Sequence, residues 1–238
     1  MTLPANGVMT ISSISTLCRG SNTEFGMTNW DARWLAGKDR GVIKLSDFYS
    51  KPTPGANTYS TPGTYTFLVP AHESLSVDVR GAGGGGGGGG YWLNAMWVYG
   101  WIIALTGNWG TAGGSSSFGG VVAYGGSPGS PGGGLNQGSV GADGGGTGGS
   151  VTTGGGSAGG AGGPANRNEG SGYQGYGGNG GDGGKTTKSY TYLASGGLTW
   201  KDSITIVVGA GGRGGPTNPG ITPAGSPGAA GQVTISWS

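Results

Sequence analysis

His72 is the only histidine of the chain and Cys18 the only cysteine, and neither has the company that chemistry needs. A general base works on a nucleophile within hydrogen-bond reach; the segment around His72 offers Glu73 and no convergent nucleophile, so His72 reads as a turn residue. A lone cysteine closes no internal disulfide and cannot assemble a zinc site of the usual ligand spacing, so Cys18 reads as a small apolar packing residue. GGDGGKTT, residues 180–187, is similar to the phosphate-cradling pattern G-x-x-x-x-G-K-[ST], but that pattern demands glycine where Asn179 stands, and no strand leads directly into it. A single Arg213-Gly214-Gly215 falls far short of the arrays that bind RNA. These residues specify no enzyme, no metal site and no cofactor.

The chemistry that remains is adhesive. Eight consecutive glycines, Gly83 to Gly90, run into the stretch Tyr91 to Trp109, which carries four tryptophans and two tyrosines and no charge. Asn94, Gly100, Thr106, Gly107 and Asn108 interrupt it, its aromatics are not gathered at two belts, and glycines stand where Lys/Arg anchors would flank a membrane span. No transmembrane segment is expected. Trp and Tyr dominate binding hot spots, so Tyr91, Trp92, Trp97, Tyr99, Trp101, Ile102 and Trp109 are expected to contact a receptor as part of an exposed loop. NRNEGSGYQGY and KTTKSYTYLASGG are further candidate loops, with Arg167, Tyr173, Tyr176, Lys188, Tyr190 and Tyr192 as contact residues, because Tyr, Ser, Gly and Asn are what adaptable binding loops use.

The elements that must position these residues follow from composition. Glycine and proline number 63 and 12 of 238 residues, and only 9% of residues are charged. A chain so poor in charge lacks what keeps disordered chains soluble, so it is expected to be packed. The net charge is +2 with no basic stripe, which argues against nucleic acid as a partner. The first thirty residues show no charged segment followed by an apolar one, so no secretory leader is expected.

Residues 1–51 have ordinary composition, with a helical turn expected in TNWDARWLAG, where Trp30 and Trp34 share a face, and another short helix from Ser46 that must stop before Pro52. So few apolar side chains make a marginal core, and the segment is read as a docking module whose contacts are Ile11, Ile14, Phe25, Trp30, Trp34, Leu45, Phe48 and Tyr49. Residues 52–63 are read as a turn-rich linker. Residues 64–238 form the glycine-rich domain, bracketed by strands: TYTFLV and SLSVDVR as a β-hairpin turning at PAHE, and DSITIVV and QVTISW as a matching pair at the chain end.

From Gly110 to Gly184, 34 of 75 residues are glycine without a strict Gly-X-Y period, which disfavours a collagen triple helix. Extended glycine chains with three residues per turn lie close enough for N–H and C=O groups to bond neighbours in several directions, and buried backbone groups must find such partners. The expectation is a polyglycine-II lattice, a core made of backbone, with the bulkier segments as connections alternating between its two ends. The fold class expected is mostly irregular and β: a polyglycine-II sandwich bracketed by short antiparallel strands, plus the small N-terminal module.

TYTFLVP, VDVRGAGGGGGGGG and the closing ITIVVGAGGRGG and GAAGQVTISW together resemble the distal long-tail-fibre adhesins of T-even-type bacteriophages and related glycine-rich phage tail proteins, over roughly residues 59–238. The resemblance implies a polyglycine-II sandwich that presents loops to a host outer-membrane protein, fixed by a separate N-terminal domain to the tip of a trimeric fibre. ISSIST, EFG and VIKLSDFY are similar to a short motif found at joints between virion components. The chain is accordingly expected to be a virion protein made in the host cytoplasm, docked on a tail-fibre or tail-tip protein and recognising an outer-membrane protein or surface glycan. The alternative is a structural cap whose aromatic loop packs on another virion subunit.

Overall fold

The computed structural model describes residues 54–70, 72, 74–94, 102–133, 138–164, 175–191, 197–199, 202–216 and 224–238. The expected docking module, 1–51, with Ile11, Ile14, Phe25, Trp30, Trp34, Leu45, Phe48 and Tyr49, lies outside these residues.

The described residues contain no helix and form two stacked bodies of different construction, a side-chain core and a backbone core. The first is built from β1 (Gly55–Tyr59), β2 (Gly63–Leu68), β3 (Ser74–Arg80), β6 (Ser116–Phe118), β7 (Val121–Ala123), β8 (Gly146–Thr147), β9 (Ser150–Thr152), β10 (Lys185–Thr191), β11 (Ser203–Val208) and β12 (Gln232–Trp237). These make two antiparallel five-stranded sheets, ordered β1-β12-β3-β10-β9 and β2-β11-β6-β7-β8. Alternation decides which face is inward: Leu75, Val77 and Val79 of β3 are buried while Ser74 and Ser76 are exposed. With Phe67, Phe118, Val121, Tyr190, Ile206, Val208, Val233 and Ile235 they form one core between the sheets.

The expected hairpins do not form. β2 pairs with β11, setting Phe67 opposite Ile204, whereas β3 lies between β10 and β12, with Val77 opposite both Lys188 and Ile235. The PAHE turn carries the chain from one sheet to the other, and β11 and β12 are likewise split between sheets. A two-stranded hairpin would have left the apolar faces of β2 and β3 side by side with nothing against them, whereas a sandwich closes each over the other. His72 is buried at this crossover, its Nδ1 2.8 Å from the Pro70 carbonyl. The stretch 52–63, read as linker, contains β1, which pairs along β12 from Gly55↔Trp237 to Tyr59↔Val233. At the β6–β7 turn, Gly119 has φ 55°, a conformation that favours glycine.

The second body begins where β3 ends. Residues 81–90 are all buried, and their backbone groups bond outward with a period of three. Gly81, Gly84, Gly87 and Gly90 donate to the carbonyls of Gly184, Gly181, Gly178 and Gly175; Ala82, Gly85 and Gly88 donate to Gly114, Thr111 and Asn108; Gly83 and Gly86 donate to Ala229 and Ser226. The carbonyls of the same segment accept from three further directions: Gly81, Gly84 and Gly87 from Ser157, Gly160 and Gly163; Ala82, Gly85 and Gly88 from Gly126, Gly129 and Gly132; Gly83 and Gly86 from Gly212 and Gly215. The six surrounding passes, 107–114, 124–132, 175–184, 156–164, 224–231 and 209–216, also bond one to the next around the ring, through Gly113→Gly126, Gly181→Ser127, Gly183→Ser157, Ala229→Ala158, Gly228→Gly212 and Thr111→Arg213. Passes that accept from the centre run antiparallel to it, passes that donate run parallel, and the two kinds alternate. An additional pass, 138–145, lies outside the ring against 124–132 and 175–184.

Such spacing excludes side chains from the interior. A Cβ added at Gly83, Gly84, Gly85, Gly86 or Gly87 would fall on the backbone carbonyl of Ala158, Ser127, Arg213, Ala161 or Ser130 respectively. In the ring passes every third residue points outward and carries the side chain: Ala158, Ala161 and Pro164; Tyr176, Asn179 and Asp182; Ala210, Arg213 and Pro216.

Candidate functional site

The array and the sandwich share one junction. Strands continue directly into passes at Arg80–Gly81, Ala123–Tyr124, Gly184–Lys185, Val208–Gly209 and Gly231–Gln232. At the opposite end of the array the chain crosses between passes through 91–106, 133–138, 164–175 and 216–224. All these crossings leave from one pole, because at the sandwich end the reversals are made by strands. Connections do alternate between the two ends of the array along the chain, but those at the sandwich end are strands, β6–β7, β8–β9 and β10–β11, instead of loops. The pole is knit together by Gly90 N–H to Gly175 O at 2.6 Å, Gly107 N–H to Gly132 O at 3.1 Å, Gly138 N–H to Tyr176 O at 2.7 Å and Asn108 Nδ2 to Pro216 O at 3.1 Å.

The largest described feature of this pole is a two-stranded sheet, β4 (Tyr91–Asn94) with β5 (Ile102–Leu105), in the register Tyr91↔Leu105, Trp92↔Ala104, Leu93↔Ile103 and Asn94↔Ile102. It grows out of the buried central segment, so Tyr91, Trp92 and Ile102 are at the tip. Trp109 and Tyr176 project from the outer positions of their passes and are 62% and 42% exposed. Trp97, Tyr99, Trp101, Arg167 and Tyr173 lie outside the described residues, within 95–101 and 165–174, two of the crossings at this pole.

Two expected contact residues are elsewhere. KTTKSYT, read as a loop, is the strand β10, flanked by β3 and β9 in the interior of its sheet. Tyr190 is 7% exposed in the sandwich core, with its ring centroid 6.3 Å from that of Phe118. Burial pushes its phenol above the usual tyrosine range. Lys188 is half-buried, its Nζ 4.8 Å above the Tyr190 ring. The run of Thr and Tyr, with Thr186 and Tyr190 both falling on the buried face, was the strand signal. Tyr192 lies outside the described residues.

Charge is distributed unevenly along this axis. From Gly81 to Ala142 there is no charged residue, whereas Asp78 on the sandwich pairs with Arg80 at 3.3 Å and Lys185 at 3.0 Å. Lys185 opens a strand, not a helix, so the phosphate-loop reading has no structural counterpart. Two open clefts lie away from the pole: one of about 330 Å³ lined by Asn57, Tyr59, Thr66, Phe67, Leu68, Pro70 and Trp237, the other of about 400 Å³ lined by Gly149, Ser150, Thr187, Lys188 and Ser189. Among the described residues no cluster of three His, Cys, Asp or Glu could hold a metal, and no helix is long and apolar enough to cross a membrane.

No family model matches the chain, and no curated protein and no solved structure matches it.

Proposed function

We propose that this chain is a bacteriophage receptor-binding adhesin, carried on a trimeric tail-fibre or tail-tip protein by residues 1–51 and gripping a host outer-membrane protein or surface glycan with the pole that carries β4 and β5. We read the array as a polyglycine-II lattice. The reading of the lattice draws on the three-residue bonding period and on donation and acceptance in six directions from one segment. The reading of function draws on one relationship above all: every crossing between passes that is not made by strands of the sandwich leaves from the pole opposite the point where the N-terminal segment joins β1.

That join is at Gly55, opposite Trp237, at the end of the sandwich away from the array. An attachment module there and a binding surface at the far pole put the length of a rigid rod between virion and host. The mechanism is rigid presentation. Connections anchored in a backbone lattice can vary in sequence without disturbing a side-chain core, and preorganised contacts lose less entropy on binding. Replacing 95–101 with a two-residue turn is expected to abolish adsorption to host cells while particles still assemble. Unchanged adsorption would sink the assignment. Capture of a tail protein by this pole, with no affinity for cells, would instead favour a virion cap.

A further inference from the structure

We propose that Trp109 and Arg213 form a subsite for an anionic sugar, a pyranose that carries a carboxylate or a phosphate. This names a ligand class for the pole and rests on the reading that the pole faces the host.

The two residues stand on neighbouring ring passes. Passes 107–114 and 209–216 run antiparallel, joined by Thr111 N–H to Arg213 O and Gly114 N–H to Ala210 O, both at 2.8 Å. Side chains fasten them further: Thr111 Oγ1 accepts the Arg213 amide at 2.7 Å, and Asn108 Nδ2 donates to Pro216 O at 3.1 Å. These bonds bracket Trp109 on both sides. At about 3 Å of rise per residue, Trp109 lies roughly 6 Å along the axis from the level of Arg213, and bonded passes are about 5 Å apart, so the two Cα atoms are roughly 8 Å from each other.

Neither side chain is engaged. Trp109 is 62% exposed and Arg213 is exposed; among the described residues the indole meets no other aromatic ring, and the guanidinium has no ion pair, hydrogen bond or ring contact. Every other charged side chain there has a partner. Asp78 holds Arg80 and Lys185, the carboxylates of Asp143, Asp182 and Asp202 accept backbone amides, and Lys188 lies over the Tyr190 ring. The field of Arg213 is also unopposed by its described surroundings. No charge occurs from Gly81 to Ala142, and Asp143 and Asp182 belong to 138–145 and 175–184, the latter directly across the ring from 209–216.

A pyranose presents a flat face of C–H bonds, whose partial positive charge suits the negative face of an indole. A guanidinium takes a carboxylate or phosphate through two parallel hydrogen bonds. An anionic sugar carries both features on one ring, whereas a neutral sugar would use Trp109 alone, and an aspartate or glutamate of a protein has the anion without the stacking face. The exposed residues next along the two passes toward the sandwich, Ala112 and Ala210, are small, so the surface beside the pair is a shallow shelf. Because both passes are held in the lattice, the pair is ordered before a ligand arrives.

The full chain is titrated with glucuronic acid and with glucose 6-phosphate, with glucose as the neutral counterpart, by saturation-transfer NMR. At least one acidic sugar is expected to bind about tenfold tighter than glucose, and added salt should weaken the acidic sugar and not glucose. Binding of only one of the two identifies the anion. Arg213→Gln is expected to bring the acidic sugar down to the level of glucose while Arg213→Lys keeps part of the gain, and Trp109→Ala to weaken every sugar about tenfold. Unchanged melting temperatures would show that these exposed substitutions leave the fold intact. Acidic sugars that do not bind, that bind no tighter than glucose, or that bind Arg213→Gln as well as wild type overturn the proposal. Adsorption of particles carrying Trp109→Ala is measured separately. Adsorption that falls while no acidic sugar binds overturns the subsite and leaves an adhesin with a protein receptor; sugar binding with undiminished adsorption supports the subsite and removes its part in host recognition.

Discussion

The Asp182 carboxylate accepts the amide of Gly159 at 2.8 Å, and three residues earlier along the same pass the Asn179 side-chain oxygen accepts the amide of Gly162 at 2.9 Å. Both amides belong to the ring pass 156–164 and face outward, where no further pass supplies a carbonyl. The lattice is therefore finished at this edge by side chains placed at its own three-residue repeat. Asp182→Ala and Asn179→Ala are each expected to cost about 1 kcal/mol, because both amides are half-buried and water can replace part of the bond. Asp182→Asn keeps an acceptor and should recover most of the loss. Urea midpoints at constant slope measure this; equal stability of Asp182→Ala and wild type would remove the capping role.

A methyl group separates the interior of the array from its surroundings. At Gly86 an added Cβ falls on the Ala161 carbonyl, part of a backbone that the ring holds on several sides, whereas at Gly145 an added Cβ meets nothing within 4 Å. Gly86→Ala is expected to destabilise by about 3 kcal/mol, a fall of roughly 6–12 °C in Tm for a chain of this size. Gly145→Ala should be neutral or stabilising by up to about 1 kcal/mol, since it removes freedom mainly from the unfolded chain. Thermal melts of the two variants, differing in one methyl each, test whether the core is backbone packed on backbone.

Tyr190 separates fold from site. Its ring fills the sandwich core beside Phe118, so Tyr190→Ala is expected to cost about 3–5 kcal/mol, while Tyr190→Phe leaves adsorption unchanged. Burial raises the phenol pKa in the folded chain above the ordinary tyrosine value of 10.0. The stabilisation is thus complete below that value and is lost as pH climbs from it through the folded pKa. Wild type should lose more stability than Tyr190→Phe across that alkaline window; identical losses would show that the phenol is not buried in solution.

Strands with alternating apolar residues, such as SLSVDVR and QVTISW, were legible because each buries one face. Their partners were not, since alternation says which face is inward and nothing about which sheet a strand joins. Proximity in sequence suggested hairpins at PAHE, while the core needed the two strands on opposite sides. β10 was missed because KTTKSYT lacks aliphatic residues, though Thr186 and Tyr190 stand on one face. The order within the glycine block was concealed for a different reason. Ala158, Ala161 and Pro164, or Tyr176, Asn179 and Asp182, each keep a strict period of three, but crossings such as 165–174 carry no such repeat between them, so a search for one continuous Gly-X-Y repeat finds none. The pole was legible only as composition: the aromatics raised the expectation of contact, and the topology of the passes put Trp109 and Tyr176 toward that end.

Trp109 and Tyr124 offer a direct comparison of position against stickiness. Both are large aromatics on outer positions, 62% and 45% exposed, and neither supports a core. Trp109 is near the pole that carries β4 and β5, one residue after Asn108, whose carbonyl takes the Gly88 amide. Tyr124 is at the sandwich end, one residue after Ala123 of β7, with its amide bonded to Gly145. Each change to Ser is expected to alter stability by no more than about 0.5 kcal/mol. If aromatic surface alone mediates adsorption, the two substitutions should weaken it alike. If the pole is the binding surface, Trp109→Ser should reduce adsorption about five- to thirty-fold, the effect of losing a contact worth 1–2 kcal/mol, and Tyr124→Ser should leave it unchanged. Adsorption rates of particles carrying each variant decide between them, and equal loss would detach host recognition from this end of the molecule.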